Sequence, residues 1–307
     1  MANFKFAPAL SNLPQLYQGK TRDTFEILDP LELLIIATNR LSTHNVIHLS
    51  QIEYKDQVLT ALPIFWMTQV LPKAGIPTHL VAYGIDIYKH LPGKRRDYPH
   101  DLHLRAIVVK KLSIFTIEFI FRAYLAGSLF DLFHKKKKQN PYGIILPSDL
   151  PLMWKFDKPI FTPTDKSETD DARDGLEVET LYPEATHLAS KTFDLTRDYL
   201  RRRGIEQVDG KLEIGKDAEG KLYVADECAT PDSSRFCNLV DVREGVIPPW
   251  RDKQKARDEA EKQWADGPKV ALKFSQKVER ELTDTYLALF EQITNLSLFD
   301  FQDTYLR

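Results

Sequence analysis

The sequence predicts an α+β fold with a β-rich N-terminal lobe, on three observations. The first third of the chain alternates short β-branched runs with turns. A short connector at Leu112-Ser113-Ile114 separates two strand-like runs and can act as a hinge. Two amphipathic helical stretches occupy the C-terminal half. At 307 residues the chain is long enough for two domains or one elaborate one. The expected division is a nucleotide-binding lobe over 1–113 and an α+β lobe with the substrate and metal site over 114–307.

In chain order, residues 24–28 (TFEIL), 31–37 (LELLIIA), 79–82 and 106–110 (AIVVK) are too short for helices and read as strands. One helix, over about 63–74 (PIFWMTQVLPKA), interrupts them and ends near Gly75. Past the connector, FTIEFIFRAYL continues as a strand. The run 134–139 (HKKKKQ) reads as a solvated loop and receives no function. In 183–203, Ala185, Leu188, Ala189, Phe193, Leu195 and Leu200 recur at helical spacing, with Gly204 as the stop. VDGKLEIG and KLYVADE form a hairpin around DAEG, and 277–295 is a docking helix striped by Val278, Leu282, Tyr286, Leu289 and Ile293.

The chain is 43% hydrophobic and 28% charged, with a formal net charge of −2. This describes a soluble globular protein with no bulk electrostatic reason to bind nucleic acid or a membrane surface. Its two cysteines, Cys228 and Cys237, lack metal-ligand spacing and read as unpaired thiols of a reducing compartment, with a disulfide across the short loop left open. The first twenty residues lack the apolar core of a signal peptide, and no run approaches the roughly 18 apolar residues of a spanning helix. A cytoplasmic location is expected. Nothing marks a symmetric interface, and the length suffices for a monomer.

The chemistry concentrates in three places. In VDGKLEIG, alternation puts Asp209, Lys211 and Glu213 on one strand face and Leu212 and Ile214 on the other. The returning strand ends at Asp226-Glu227, followed by Thr230-Pro231 and then Ser233-Ser234-Arg235. Carboxylates beside a lysine suit Mg²⁺ and a triphosphate, and arginine suits an anionic substrate. Alone, the charged face would be an ordinary half-exposed strand. Near the N-terminus, YQGKTRD sets Gly19, Lys20 and Arg22 where a turn could close over phosphates, although GxxxxGK[ST] is absent. His44, His48 and His187 stand isolated, and Trp66 and Trp154 read as packing residues.

YQGKTRD, VVKKLSIFTIEFIFRAYLAGSL, FTPTDKSE, VDGKLEIG and DECATPDSSRF occur in an order that resembles the SAICAR synthetase (phosphoribosylaminoimidazole-succinocarboxamide synthase) family over about residues 15–240. The resemblance implies a two-lobed, kinase-like and ATP-grasp-related α+β fold with ATP in the cleft and a C-terminal helix. It implies joining of L-aspartate to the carboxylate of carboxyaminoimidazole ribonucleotide (CAIR), with ATP and Mg²⁺, in purine biosynthesis. By the same resemblance Gly19, Lys20, Arg22, Lys110, Leu112, Ile114, Lys211, Glu213 and Asp226 serve ATP. Glu213 and Asp226 serve the metal. Ser42, Arg122, Ser128, Lys166, Asp209, Ser234 and Arg235 serve the substrates, and Lys211, Asp226 and Arg235 are the catalytic set.

The sequence departs from the family pattern in three places. Asn39 and Asn45 stand where carboxylates are expected, residues 169–174 (TDDARD) replace a His-Asp-Glu-Asn run, and Ala123 replaces a glycine. Asn keeps size and hydrogen bonding but neither neutralises a cation nor acts as a base. Two other readings therefore stand beside the ligase: a paralogous ATP-dependent ligase with a different amine or acid, and a nucleotide-binding protein without catalysis.

Overall fold

The computed structural model describes residues 8–134, 141–147, 149–167, 169–265 and 267–307. All but His134 of the lysine-rich run therefore lies outside the described residues. The chain forms two compact units: residues 1–70, 79–112 and 255–307 in the first, and 71–78 and 113–254 in the second.

The first unit opens with α1 (Pro8–Ser11), β1 (Gln15–Gln18), β2 (Arg22–Glu26), β3 (Glu32–Ala37), β4 (Arg40–Thr43) and β5 (Val46–Gln51). It continues through α2 (Lys55–Phe65), β6 (Leu80–Tyr83), α3 (Leu102–Arg105) and β7 (Ala106–Lys110). Five strands pair in the order β1-β2-β3-β7-β6, and β4 and β5 form a separate hairpin. The β-branched runs of the sequence become strands because one face packs on Phe25, Leu34, Ile36, Ala106 and Val108.

Helix α2 begins at Lys55, eight residues before the predicted start. Its cap is not local, for Asn39 Oδ1 accepts the Asp56 backbone N–H at 3.0 Å. Pro63, expected to open the helix, instead sits inside it. Past Phe65 the helix loosens into a π turn (Trp66–Val70) and a 3-10 turn (Leu71–Ala74), and stops at Gly75, as expected, with φ +67°.

The second unit contains β8 (Ser113–Ile114), β9 (Ile117–Tyr124), α4 (Gly127–His134), β10 (Lys155–Phe161), β11 (Thr164–Asp165), α5 (Gly175–Leu181) and α6 (Pro183–Arg201). Then follow β12 (Ile205–Lys216), β13 (Leu222–Ala225) and β14 (Ser234–Asn238). Strand β12 is the hub, pairing antiparallel with β8, β9, β13 and β14. Helix α6 starts with Pro183 in its first turn and buries Ala185, Ala189, Phe193 and Leu200, as the spacing predicts. Phe193 stacks on Phe121, and Phe121 on Phe161, under the sheet.

Residues 255–307 return to the first unit as most of α7 (Gln254–Trp264), α8 (Gln276–Thr294) and α9 (Leu298–Tyr305). Ser275 Oγ caps α8, Asn295 ends it in the left-handed region, and Leu282, Tyr286, Leu289 and Ile293 are buried along its stripe. No described helix is long and apolar enough to cross a membrane. Cys228 and Cys237 are buried free thiols, as expected.

Candidate active site

In the second unit, the register sets Asp209 opposite Arg122 and Lys211 opposite Ile120. Period-two alternation then brings Glu118 and Arg122 of β9 and Asp209, Lys211 and Glu213 of β12 to one face. Leu212 and Ile214 are buried on the other. Two charged groups form on this face, side by side.

The first group is built on Asp209. Arg122 Nη1 donates to its Oδ2 at 3.1 Å and Arg235 Nη1 to the same oxygen at 2.5 Å. Arg122 is further fixed through Nε to Thr162 Oγ1 at 2.9 Å and Nη2 to Ser128 Oγ at 3.0 Å. Arg122 and Asp209 are 3% and 5% exposed, so a buried carboxylate pins two guanidiniums, each with N–H donors left over. Gly127 has φ +55°, and a Cβ there would lie 2.4 Å from the Arg235 guanidinium. Arg235 therefore lies against the start of α4, where only glycine leaves room. Ser234 Oγ accepts from Gln207 Nε2 at 3.1 Å.

The second group is built on Lys211. Its Nζ lies 2.8 Å from Glu118 Oε1 and 3.6 Å from Glu213 Oε1, while Lys166 Nζ meets Glu213 Oε2 at 2.6 Å. Burial alone would lower the Lys211 pKa, but Glu118, Glu213 and Asp226 outweigh it and hold the ammonium above its ordinary value. Burial likewise pushes Glu213 up, and Lys211 and Lys166 reverse this, leaving the carboxyl below its ordinary value.

Glu213 pairs with Ala225 across the β12–β13 ladder, so Asp226 follows directly. Asp226 has φ +56° and Ala229 φ +48°, two non-glycine residues held in the left-handed region within one short loop. The adjacent acids separate in role: Glu227 Oε2 accepts from Thr230 Oγ1 at 2.5 Å, tying the loop together. Of the 169–174 segment, Asp174 caps α5 through the Leu176 and Glu177 amides, at 2.9 and 3.0 Å.

In the first unit, Gly19 to Arg22 form the turn between β1 and β2, closed by the Gly19 N–H to the Arg22 carbonyl at 2.7 Å. A Cβ at Gly19 would stand 2.7 Å from that carbonyl oxygen, which explains the glycine. Lys20 Nζ donates to Asn45 Oδ1 at 2.6 Å. Asn45 and His44 both have positive φ in the β4–β5 turn, a conformation that asparagine tolerates. Arg22 Nη2 donates to the Leu59 carbonyl at 3.3 Å. That carbonyl is the one whose helical N–H partner Pro63 lacks.

Register places Arg22 opposite Ala37 and Lys110 opposite Glu32, at opposite ends of β3. Their backbones are thus offset along the sheet by most of a strand, roughly 17 Å at the usual rise. Ser42 is buried in β4, Leu112 is partly buried, and Ile114 is exposed in β8. His48 belongs to packing: its Nε2 lies 2.8 Å from Thr43 Oγ1 and its Nδ1 accepts the Leu272 N–H at 3.2 Å.

A sequence model of the family described as SAICAR synthetase matches residues 15–272. The chain belongs to this family. It is 34% identical over 295 residues to the phosphoribosylaminoimidazole-succinocarboxamide synthase of Pasteurella multocida, covering 92% of this chain and 98% of that one. It superposes with a TM-score of 0.81 on the SAICAR-synthase of Saccharomyces cerevisiae complexed with SAICAR, at 30% identity, covering 93% and 96% of the two chains. A more distant SAICAR synthetase in complex with ADP shares the fold, with a TM-score of 0.63 at 21% identity and coverage of 92% and 98%. Membership makes this chain an ATP-dependent ligase of purine biosynthesis.

Four residues that hold charged side chains, three in the second unit and one in the first, escaped the sequence reading. Glu118 lies four residues before Arg122, and strand alternation alone could have flagged it. Thr162 and Thr164 hold Arg122 and Glu118, the latter at 2.8 Å, from a segment forty residues away. Arg40 pairs bidentately with Asp23 at 2.6 and 3.1 Å, a contact without a local sequence signal.

Proposed function

We propose that this chain joins L-aspartate to the carboxylate of CAIR through an acyl phosphate formed from ATP, giving SAICAR, ADP and phosphate. The observation that carries this reading is the single strand face on which a guanidinium pair around Asp209 adjoins an ammonium–carboxylate group around Lys211. One half suits an anionic ribonucleotide and the other a phosphoryl group in transit. A carboxylate is a poor acyl donor, so phosphorylation must precede attack by the amine. The protein's work is placement and charge stabilisation.

In this reading Arg122, Ser128, Asp209, Ser234 and Arg235 hold the ribonucleotide, with Ser42 and Lys166 also assigned to substrates. Gly19, Lys20 and Arg22 serve the ATP phosphates, and the backbone at Leu112–Ile114 with Lys110 serves the rest of the nucleotide. Lys211 neutralises the transferring group. Glu213 and Asp226 fit Mg²⁺ by donor chemistry, since the ladder makes them neighbours and a nucleotide-bound Mg²⁺ needs one or two protein carboxylates. Among the described residues no group of three or more His, Cys, Asp or Glu side chains forms a metal cage. Phosphate oxygens and water would complete the coordination. The ion would supply charge neutralisation on the phosphates.

The deciding measurement is ADP release with Mg²⁺-ATP and CAIR, with and without L-aspartate, alongside Asp226→Asn. Turnover should require all three substrates and fall about 100-fold or more in the variant, the scale of losing one electrostatic stabiliser. Turnover indifferent to L-aspartate would point to another amine. Nucleotide binding without turnover would mark a silent relative.

A further inference from the structure

Three consecutive carbonyls of the Gly19–Arg22 turn are held by two residues. Arg40 Nη2 donates to the Gly19 carbonyl at 2.9 Å and Arg40 Nε to that of Lys20 at 3.3 Å. The Thr21 carbonyl accepts from both the N–H and the hydroxyl of Thr38, each at 2.9 Å. In a trans peptide the C=O of one residue and the N–H of the next point in opposite directions. Fixing these carbonyls therefore turns the N–H groups of Lys20 and Thr21 to the other side. Among the described residues neither amide has a hydrogen-bond partner. Successive N–H groups turned one way, beside a lysine, form an anion-binding concavity.

We infer that Arg40 is a positioning residue for the nucleotide phosphates, with Thr38 as its assistant. Its guanidinium is committed to the turn and to Asp23, with four of its five N–H donors engaged. Nη1 and Nη2 are engaged by Asp23, Nη2 also by Gly19 and Nε by Lys20, and the side chain is only 10% exposed. Asp23, whose side chain is 2% exposed, anchors the fork from behind. The planar guanidinium matters here, because one ammonium cannot reach all these acceptors at once. The inference rests on the reading of this turn as a phosphate site and adds what aims it.

The test compares binding of ADP and of adenosine by calorimetry in the full chain, with steady-state kinetics and thermal unfolding beside it. Arg40→Lys should weaken ADP about 10-fold, the scale of losing one or two hydrogen bonds. Adenosine affinity should stay within about twofold, and KM for ATP should rise while kcat at saturation holds. Equal loss of ADP and adenosine, or a lowered Tm with ADP affinity intact, overturns the inference and leaves Arg40 structural. Should Arg40→Lys fail to fold, Thr38→Val removes the hydroxyl bond to the Thr21 carbonyl, together with the longer one that the hydroxyl accepts from the Arg40 N–H at 3.4 Å, and leaves the ion pair whole. It should weaken ADP several-fold, roughly one neutral hydrogen bond's worth, and spare adenosine. No loss of ADP in it counts against the proposal. A wild-type chain that binds no ADP would instead sink the phosphate reading of the turn.

Discussion

The β9–β12 strand pair and the Gly19–Arg22 turn both present cations, but they are held in opposite ways. On the strands, register does the placing: once Asp209 faces Arg122, alternation sets Lys211, Glu213 and Glu118 on the same face. In the turn, backbone carbonyls are gripped by Arg40 and Thr38, 17 or more residues away in sequence. A strand pair carries its charges as neighbours in a repeating frame, so local changes stay local or remove a partner outright. A turn held by distant side chains can lose its aim while its own sequence is intact.

The comparison can be broken most severely at Asp209. Asp209→Asn leaves the buried Arg122 guanidinium and the partly buried one of Arg235 without their carboxylate and should cost about 3–5 kcal/mol by urea unfolding, as for other buried pairs broken on one side. A cost below about 1 kcal/mol would mean that water reaches the pair and that its burial has little energetic weight. Next comes Gly127→Ala, which must both adopt φ +55° and displace the Arg235 guanidinium. The backbone term alone is about 1–2 kcal/mol. The site effect should be a KM for CAIR raised about 10-fold or more with KM for ATP unchanged, as expected for a lost ground-state contact. Equal rises in both would show that the two charged groups are not separable.

A smaller effect sharpens the electrostatic side. Lys211 and Lys166 hold the Glu213 pKa below its unfolded value, so its stabilisation is complete above that value and is lost as pH falls through the folded one. Glu213→Gln should therefore be less stable than wild type at neutral pH. The gap should close on acidification below about pH 4.3, the unfolded carboxyl value. A gap that persists at pH 2 would assign the loss to packing. The smallest effect is expected in the turn, from Asn45→Asp. An exposed carboxylate would take over Lys20 from the amide, worth about 1 kcal/mol or less, and raise KM for ATP by less than about fivefold. A fall in KM would show that a carboxylate belongs there.

The same contrast explains what the sequence made legible. The charged face of β12, its hairpin with β13, α6 and α8 were readable because their periodicities are local and strong. The start of α2 was not, because its cap is Asn39, seventeen residues upstream. The role of Asn39 itself was hidden for the same reason. It appeared as a missing carboxylate and proves to hold a helix end. Glu118 was legible in principle from its spacing to Arg122. The Arg40–Asp23 pair was not, since nothing within either segment announces the other.

The Leu59 carbonyl that Pro63 leaves open in α2 has a consequence for motion. Arg22 Nη2 closes it, so the middle of the helix and the edge of the turn share a side chain. Local opening of either releases a donor from the other, which makes them one cooperative unit on the exchange timescale. Amide protons around Leu59 should exchange in step with those of β2, not as a helix fraying on its own.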